Sequence, residues 1–213
     1  MADADLASLL ARDFIEGDVF ADVDGKDAVV EGRELYRCTF RGGSFAGARF
    51  SRVVFEQCVF EDCDLTRMTL PQSALRGVRF VRCKLMGVHF AAAADHPEVA
   101  FDDCDLRYAV FDGQALRGTR FVGCGLQDSS FNDVNLVDAD FAGSDLDRAT
   151  IARCDLAGAD FASATGVFID PAKNKAKDAM IGVDAAVAIV RQLGLRVDGY
   201  DDRRKAGATK KRR

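Results

Sequence analysis

The sequence predicts an all-β solenoid in which the chain winds as a square coil and successive coils stack on one another. Three observations predict it. A large apolar residue recurs every five positions, a small residue lies two positions before most of these, and charged residues, Gly, Ser and Thr fill the other positions. A period of five fits neither an amphipathic helix nor a half-buried strand. It fits a chain that turns a corner every five residues, with four sides to a coil of twenty.

The large inward positions form two uninterrupted runs. The first run is Leu35, Phe40, Phe45, Phe50, Phe55, Phe60, Leu65, Leu70, Leu75, Phe80, Leu85 and Phe90. The second run is Phe101, Leu106, Phe111, Leu116, Phe121, Leu126, Phe131, Leu136, Phe141, Leu146, Ile151, Leu156 and Phe161. Thirteen of the 16 Phe residues belong to these runs. The aromatic residues are therefore predicted to build the core rather than a platform for stacking bases.

All seven cysteines occupy the small inward positions. They are Cys38, Cys58, Cys63, Cys83, Cys104, Cys124 and Cys154. Buried cysteine behaves as a compact apolar residue, and an odd count argues against a disulfide framework. Cysteines on adjacent coils come within Cα reach of a disulfide, but their parallel inward directions make the bond awkward. We expect reduced, structural thiols and no metal site.

The register divides the chain into four segments. Residues 1–34 are predicted to form an N-terminal cap and a distorted first coil, because Asp13 and Asp18 fall at small inward positions. Residues 35–165 are the solenoid body, interrupted at 91–100 where the count between Phe90 and Phe101 is eleven. The interruption is either a one-residue bulge or a short excursion that replaces a corner. Its candidate loop residues are Asp95, His96, Pro97 and Glu98.

Residues 166–202 are predicted to form a C-terminal cap with one helix. Asp184 is the expected N-cap and Gly194 the expected residue after the helix, and Leu195 and Val197 indicate a short strand. The apolar stripe of the helix is Ala186, Ile189, Val190 and Leu193. The helix is either a lid on the last coil or a lid that also dimerises. The last segment, 203–213, holds seven basic residues and no acid, and we expect it to be disordered.

Several function classes are disfavoured by composition. No apolar run approaches the ~18 residues of a membrane span, and the acidic start is unlike a signal peptide. We expect a cytoplasmic protein of about six coils that contacts no membrane. His89 and His96 are the only histidines, and there is no phosphate-binding Gly-rich loop and no HExxH motif. The sequence therefore predicts no enzyme, no catalytic residue and no cofactor.

The charge is distributed unevenly along the chain. Residues 33–90 hold ten basic and five acidic residues, or +5, and residues 100–165 hold five basic and twelve acidic residues, or −7. Three coils span about 15 Å, over which B-DNA presents about nine charges. The acidic half is therefore a candidate DNA mimic. The alternative is that Asp is simply favoured in these turns. The candidate partner-binding residues are Asp102, Asp105, Asp128, Asp138, Asp140, Asp145, Asp147 and Asp160.

Short repeats in the second half resemble the pentapeptide repeat family, whose pattern is A(D/N)LXX. They are Ala-Asp-Phe-Ala-Gly at 139–143, Ser-Asp-Leu-Asp-Arg at 144–148 and Cys-Asp-Leu-Ala-Gly at 154–158. The resemblance covers about residues 30–165. It implies a right-handed quadrilateral β-helix and leaves the function open, because this fold serves several functions.

Two stretches resemble a narrower group of that family, the gyrase-protecting Qnr, MfpA and AlbG proteins. Residues 70–73 and 78–88 are similar to the albicidin-resistance member, and residues 186–197 are similar to the C-terminal dimerisation helix of Qnr proteins. The resemblance implies a homodimer joined at its C-terminal ends through Ala186, Ile189, Val190, Leu193, Leu195 and Val197. It also implies binding to DNA gyrase, or topoisomerase IV, where DNA would lie, and protection from quinolones or natural-product poisons. Qnr proteins carry two projecting loops, whereas this chain has only the short segment 91–100.

The main hypothesis is thus a DNA-mimicking dimer that binds gyrase and confers antibiotic resistance. One alternative is a scaffold or interaction protein with a partner other than gyrase. Another is a solenoid whose basic tail and +5 half bind nucleic acid without sequence specificity. In the first hypothesis, the acidic halves lie at the dimer centre and the +5 segments at the distal ends.

Overall fold

The computed structural model describes residues 5–93 and 97–200, which form a parallel β-solenoid of about eight turns followed by one helix. Residues twenty apart pair on adjacent coils, as Leu35 does with Phe55 and Phe55 with Leu75. This confirms the predicted fold, a right-handed quadrilateral β-helix with a C-terminal helix. At about 4.8 Å per coil the rod is about 38 Å long, longer than the six coils expected from the sequence.

The solenoid is built from very short strands. The elements in chain order are α1 (Leu6–Ala11), β1 (Phe14–Glu16), β2 (Val19–Ala21), β3 (Val29–Glu31), β4 (Glu34–Tyr36), β5 (Thr39–Arg41), β6 (Arg49–Ser51), β7 (Val54–Glu56), β8 (Val59–Glu61), β9 (Ala74–Arg76), β10 (Val78–Val81), β11 (Val99–Asp102), β12 (Arg120–Val122), β13 (Ser130–Asn132), β14 (Thr150–Ala152), β15 (Asp160–Phe161), β16 (Met180–Ile181) and α2 (Val183–Gln192). A single 3₁₀ turn covers Phe90–Ala92.

The four faces of the rod are named here by the first coil, in chain order. Face 1 contains Ile15, face 2 Phe20, face 3 Gly25 and face 4 Val30. Face 2 carries the longest sheet, β2-β5-β8-β10-β11-β12. Isolated bridges through Asp140 continue that sheet to β15 and β16. Face 3 is held by isolated bridges alone, such as Lys84 with Asp105 and Gly125 with Asp145.

The interior is filled by the two predicted sets of inward residues. All 25 large ladder residues are buried, and so are all seven cysteines. On face 2 eight phenylalanine rings stack along the rod with centroids 4.5–5.3 Å apart. They are Phe20, Phe40, Phe60, Phe80, Phe101, Phe121, Phe141 and Phe161. This stack is the central packing feature of the fold.

Most corners of the rod place one residue in the left-handed region of φ. Gly occupies many of these positions, and Asp, Arg or Gln occupy most of the others. On neighbouring coils an aspartate side chain often faces one of these glycines. The Asp103 carboxylate lies over Gly123 and the Asp138 carboxylate over Gly158, where a β-carbon would clash. The corners thereby hold acidic side chains against the rod surface.

The coil before residue 35, which the sequence predicted to be distorted, is regular. Residues 14–31 form a complete first coil, since Ile15 pairs with Leu35, Phe20 with Phe40 and Val30 with Phe50. Parallel pairing depends on the backbone, so acids at the small inward positions of an end coil are tolerated when they find partners. Asp13 pairs with Arg33 and Asp18 with Arg12. Helix α1 covers this end through Leu9, which is fully buried.

The C-terminal end also differs from the expectation. The coil continues past residue 165 to Ile181, which pairs with Phe161, and Ile169 is buried. The helix is capped by Gly182 rather than Asp184, which lies in its first turn, and Gly194 has the positive φ expected after a helix. Leu195 and Val197 form no strand. Leu195 and Val197 are the only two apolar residues between Gly194 and Asp198, which is too few to extend a sheet without a partner strand.

The interruption changes the register by one residue without ending the stack. Gln72 pairs with Ala92, twenty residues on, whereas Val78 pairs with Val99, twenty-one residues on. The extra residue is therefore accommodated between Ala92 and Val99. Pro97 is buried, and the backbone N–H and C=O of Glu98 bond to Leu75 and Val78. Asp95, His96 and the basic tail 203–213 lie outside the described residues.

Candidate partner-binding surface

Seven of the eight predicted partner-binding acids share two adjacent faces of the rod. Asp102, Asp140 and Asp160 lie on face 2, because each flanks a phenylalanine of the long stack. Asp105, Asp128, Asp145 and Asp147 lie on face 3, where Asp105 and Asp145 both bridge to Gly125. Asp138 is the exception, since it belongs to face 1 with Leu136. The structure therefore brings most of the predicted site together and leaves one member on the opposite side of the rod from face 3.

The excess of negative charge follows the same division. Between residues 100 and 165, faces 2 and 3 carry eight acidic and three basic residues, or −5. Faces 1 and 4 carry four acidic and two basic residues, or −2. We call faces 2 and 3 between residues 100 and 165 the acidic surface. It also contains Asp103, which the sequence analysis did not single out. Counting along the sequence in steps of twenty residues, the length of one coil, would have placed Asp103 on this surface.

Four acids of this surface are fixed by their own turns. The carboxylates of Asp105, Asp140, Asp145 and Asp160 each accept a hydrogen bond from the backbone N–H two residues later, at 2.8–3.3 Å. Asn135 accepts the same bond from Val137 at 3.1 Å, so the turn requires an oxygen acceptor but no charge. The turn thus accounts for an oxygen acceptor at these positions and does not require a negative charge there.

Several acids of this surface form ion pairs, between coils or within one turn. Arg148 donates to both carboxylate oxygens of Asp128 at 2.8 Å, and Arg120 lies 3.2 Å from Asp102. Hydrogen bonding to Arg148, followed by its charge, lowers the pKa of Asp128. Hydrogen bonding to Arg107 likewise lowers the pKa of Asp105. The carboxylates of Asp128 and Asp105 are therefore ionised at neutral pH. Solvent-exposed pairs of this kind add little stability.

The first coil is acidic as well, which corrects the expected charge order. Residues 13–32 contain seven acidic residues and one lysine. The +5 segment therefore lies in the middle of the rod rather than at its distal end. Most of its arginines pair with acids one coil away, as Arg37 does with Glu16 and Arg82 with Glu61 and Asp62. The distribution was missed because the charge count along the rod began at residue 33 and left out the first coil.

Two of the six predicted dimerisation residues are exposed within one chain, and the other four are half-buried. Helix α2 buries Ala185 and Val187 against the last coil. Ala186, Ile189, Val190 and Val197 are half-buried, whereas Leu193 is 71% exposed and Leu195 59% exposed. Phe168, Met180 and Val183 are exposed at the same end. This end of the rod thus presents several large apolar side chains to solvent.

The thiols are held in structural hydrogen bonds. Cys63 and Cys124, for example, donate to carbonyl groups one coil away, at 3.4 and 3.5 Å. The thiol on the next coil, followed by burial, raises the pKa of Cys83 and of Cys104 to about 12. These two thiols are therefore protonated at neutral pH and are poor nucleophiles. Within residues 5–93 and 97–200, no group of three His, Cys, Asp or Glu side chains is arranged to hold a metal ion.

A cleft of about 580 Å³ lies at the corner of faces 1 and 2 and is lined by Arg79, Pro97, Glu98 and Arg117, among others. Both arginines are paired with aspartates, Arg79 with Asp102 and Arg117 with Asp138.

In the part of the chain that the structure describes, no helix is long and apolar enough to cross a bilayer.

Comparison with known sequences identifies the repeat. The family model described as a pentapeptide repeat region matches residues 33–111 and 94–161, which is more than half of the chain. No curated protein sequence matches the chain.

Comparison with solved structures finds the same solenoid. Two trypsin-treated variants of QnrB1, a plasmid-mediated fluoroquinolone resistance protein, align with a TM-score of 0.61. One is 20% identical and aligns over 86% of this chain and 89% of its own, and the other is 19% identical over 87% and 90%. HetL, a pentapeptide repeat protein involved in heterocyst differentiation regulation from the cyanobacterium Nostoc, aligns with 16% identity and a TM-score of 0.35, over 79% of this chain and 85% of its own. At these identities the QnrB1 likeness establishes the fold.

Proposed function

The chain belongs to the pentapeptide repeat family, and from that premise we propose that it binds DNA gyrase as a DNA mimic and protects the enzyme from gyrase poisons. The observation that carries this proposal is the concentration of negative charge on two adjacent faces of the solenoid. A DNA duplex presents a row of negative charges to the protein groove that binds it. The acidic surface presents negative charges along the rod axis over about 15 Å.

The likeness to QnrB1 supports the same proposal. QnrB1 is described as a fluoroquinolone resistance protein, and this chain shares its fold over most of both chains. Topoisomerase IV, whose DNA-binding groove serves the same purpose, is the second target of the proposal. Such a role places the protein in the cytoplasm with its target and requires no catalytic residue and no cofactor.

We further propose that the protein is a homodimer joined at its C-terminal ends. The exposed apolar residues around α2 are the support, because side chains such as Leu193 and Leu195 gain from burial against a second copy. Joining the rods at this end would place both acidic surfaces near the centre of the dimer. The basic segments would then lie between the centre and the acidic first coils.

Substituting Leu193 with aspartate is expected to convert the dimer to a monomer without unfolding the coils. The substitution places an unpaired charge in the proposed interface, whereas the side chain is 71% exposed within one chain. Light scattering measures the mass, and circular dichroism measures thermal unfolding. Gln192→Asp is the matched control, since it adds the same charge at an exposed neighbouring residue and should leave the mass unchanged. A Leu193→Asp protein that keeps the dimer mass would refute the assignment.

The proposed function is tested by supercoiling with purified gyrase. A quinolone or a natural-product poison should inhibit the enzyme, and addition of this protein should restore supercoiling over a range of concentrations. Inhibition of supercoiling by the protein alone would support binding without protection. Neither rescue nor inhibition at any concentration would eliminate gyrase as the partner.

A second candidate is a scaffold or interaction protein with a partner other than gyrase. The observation that favours it is the capping role of Asp105, Asp140, Asp145 and Asp160, since an Asp-rich turn needs no DNA-binding partner to account for it. This candidate predicts a protein that leaves gyrase activity unchanged with and without poison.

A further inference from the structure

Tyr108 is an exposed aromatic residue in the middle of the rod. Its side chain is 55% exposed. Nine other large apolar residues are exposed in the described part of the chain, and all lie at the two ends, up to Val29 or from Phe168 onward. Tyr108 is on face 3, two residues after Leu106, and so projects from the acidic surface. It therefore differs from the exposed apolar residues that cap or join rod ends.

Tyr108 has a backbone conformation that is unfavourable for a bulky residue. Its φ is 60°, in the left-handed region. The other non-glycine residues with positive φ in the described segments are all Asp, Arg or Gln. On the same corner, Gly87 lies one coil before Tyr108 and Asp128 one coil after. A bulky residue is uncommon in this region, and such strain is found preferentially at functional sites.

The core does not account for this residue, because the ring fills no part of the interior. Its backbone N–H donates to the Gln127 carbonyl at 3.1 Å, a bond that any residue but proline would make. A glycine would satisfy the corner with less strain. The fold therefore gives no reason for a tyrosine at this position.

Charged side chains lie close to the Tyr108 hydroxyl. The hydroxyl helps to lower the pKa of the Asp128 carboxylate, after the larger effect of Arg148. Arg148 in turn holds Asp128 through two 2.8 Å hydrogen bonds and also contacts Asp147. The ring thus projects from a network of fixed charges, with Asp105 and Arg107 on its own coil.

We propose that Tyr108 is an anchor residue of the acidic surface, whose ring enters an apolar pocket on the gyrase groove bordered by lysine or arginine side chains. The inference rests on the proposed function and adds the residue that distinguishes this surface from DNA. Charges steer association and align the partners, but a partly apolar ring adds contact area that a phosphate backbone lacks. Buried tyrosines surrounded by polar contacts are a frequent source of binding energy in interfaces.

The test compares three full-length variants in binding to purified gyrase and in thermal unfolding. Tyr108→Gly should weaken binding about tenfold or more while leaving the melting temperature unchanged or higher, because glycine suits the corner. Tyr108→Phe keeps the ring and should remain within about threefold of the unsubstituted protein. Gln57→Gly is the matched control. It removes another exposed side chain at a positive-φ corner, on the opposite face 1, and should not change binding.

The outcomes separate this inference from the function on which it rests. Failure of the unsubstituted protein to bind gyrase would overturn both. Binding by the unsubstituted protein with equal affinity for Tyr108→Gly would overturn the anchor and leave the proposed function standing. An equal loss in Gln57→Gly would show a general effect of corner glycines and would also overturn it.

Discussion

Replacing Phe121 with alanine is expected to lower the free energy of unfolding by about 3–5 kcal/mol. The ring is fully buried in the face 2 stack, with Phe101 at 5.2 Å and Phe141 at 4.9 Å. It also meets Phe111 and Phe131 edge to face. The backbone ladders on both sides hold the coils apart, so the cavity cannot collapse fully. Chemical denaturation followed by circular dichroism measures the change.

Phe168→Ala is the matched control for this experiment. The Phe168 side chain is 47% exposed and lies outside the stack, so its loss should cost much less. Equal destabilisation by the two substitutions would show that the stacked core is not what holds the coils together.

Neutralising the acidic surface is expected to have the largest effect on partner binding. Substituting Asp140, Asp145 and Asp160 together with asparagine should reduce affinity for gyrase roughly tenfold at low ionic strength, and less as salt is added. Asparagine keeps the hydrogen bond to the turn, as Asn135 shows, so the rod should remain folded. Binding measured at several salt concentrations gives both the affinity and its salt dependence.

The control carries the same change of charge on the other faces. Asp138, Asp155 and Asp170 lie on faces 1 and 4 toward the C-terminal end of the rod, and the latter two also cap their turns. Their replacement with asparagine should change affinity within about threefold. Equal losses in the two triple variants would mean that only the total charge matters and that no particular faces are used.

The architecture was accessible from the sequence because the repeat is enforced at every coil. Each large inward residue packs between the residues at the same position of the two neighbouring coils. In the body of the rod the large apolar residue is therefore needed at every such position. At the ends the requirement weakens. Gly25 stands at a large inward position, and the Phe45 ring occupies the space beside it. The apolar ladder therefore fades before the coils stop, which is why the sequence underestimated the rod at both ends.

The candidate site was only partly accessible. Counting along the sequence in steps of twenty residues, with one residue added near 94–98, assigns each acid to a face. The separation of Asp138 from the other acids therefore follows from the sequence. The ion-pair partners of the acids cannot be obtained in this way. Asp128 pairs with Arg148 from the next coil, whereas Asp105 pairs with Arg107 in its own turn, and side-chain reach decides between them. Tyr108 could have been identified, since its register position is a positive-φ corner.

The central claim is that the acidic surface occupies the place of DNA on gyrase. The most direct measurement is displacement of a fluorescent duplex from purified gyrase by the full-length protein. The account predicts competitive displacement that weakens as salt rises and is reduced in the Asp140, Asp145 and Asp160 triple variant. A complex in which gyrase holds the duplex and this protein together, with no change in duplex affinity, would contradict it.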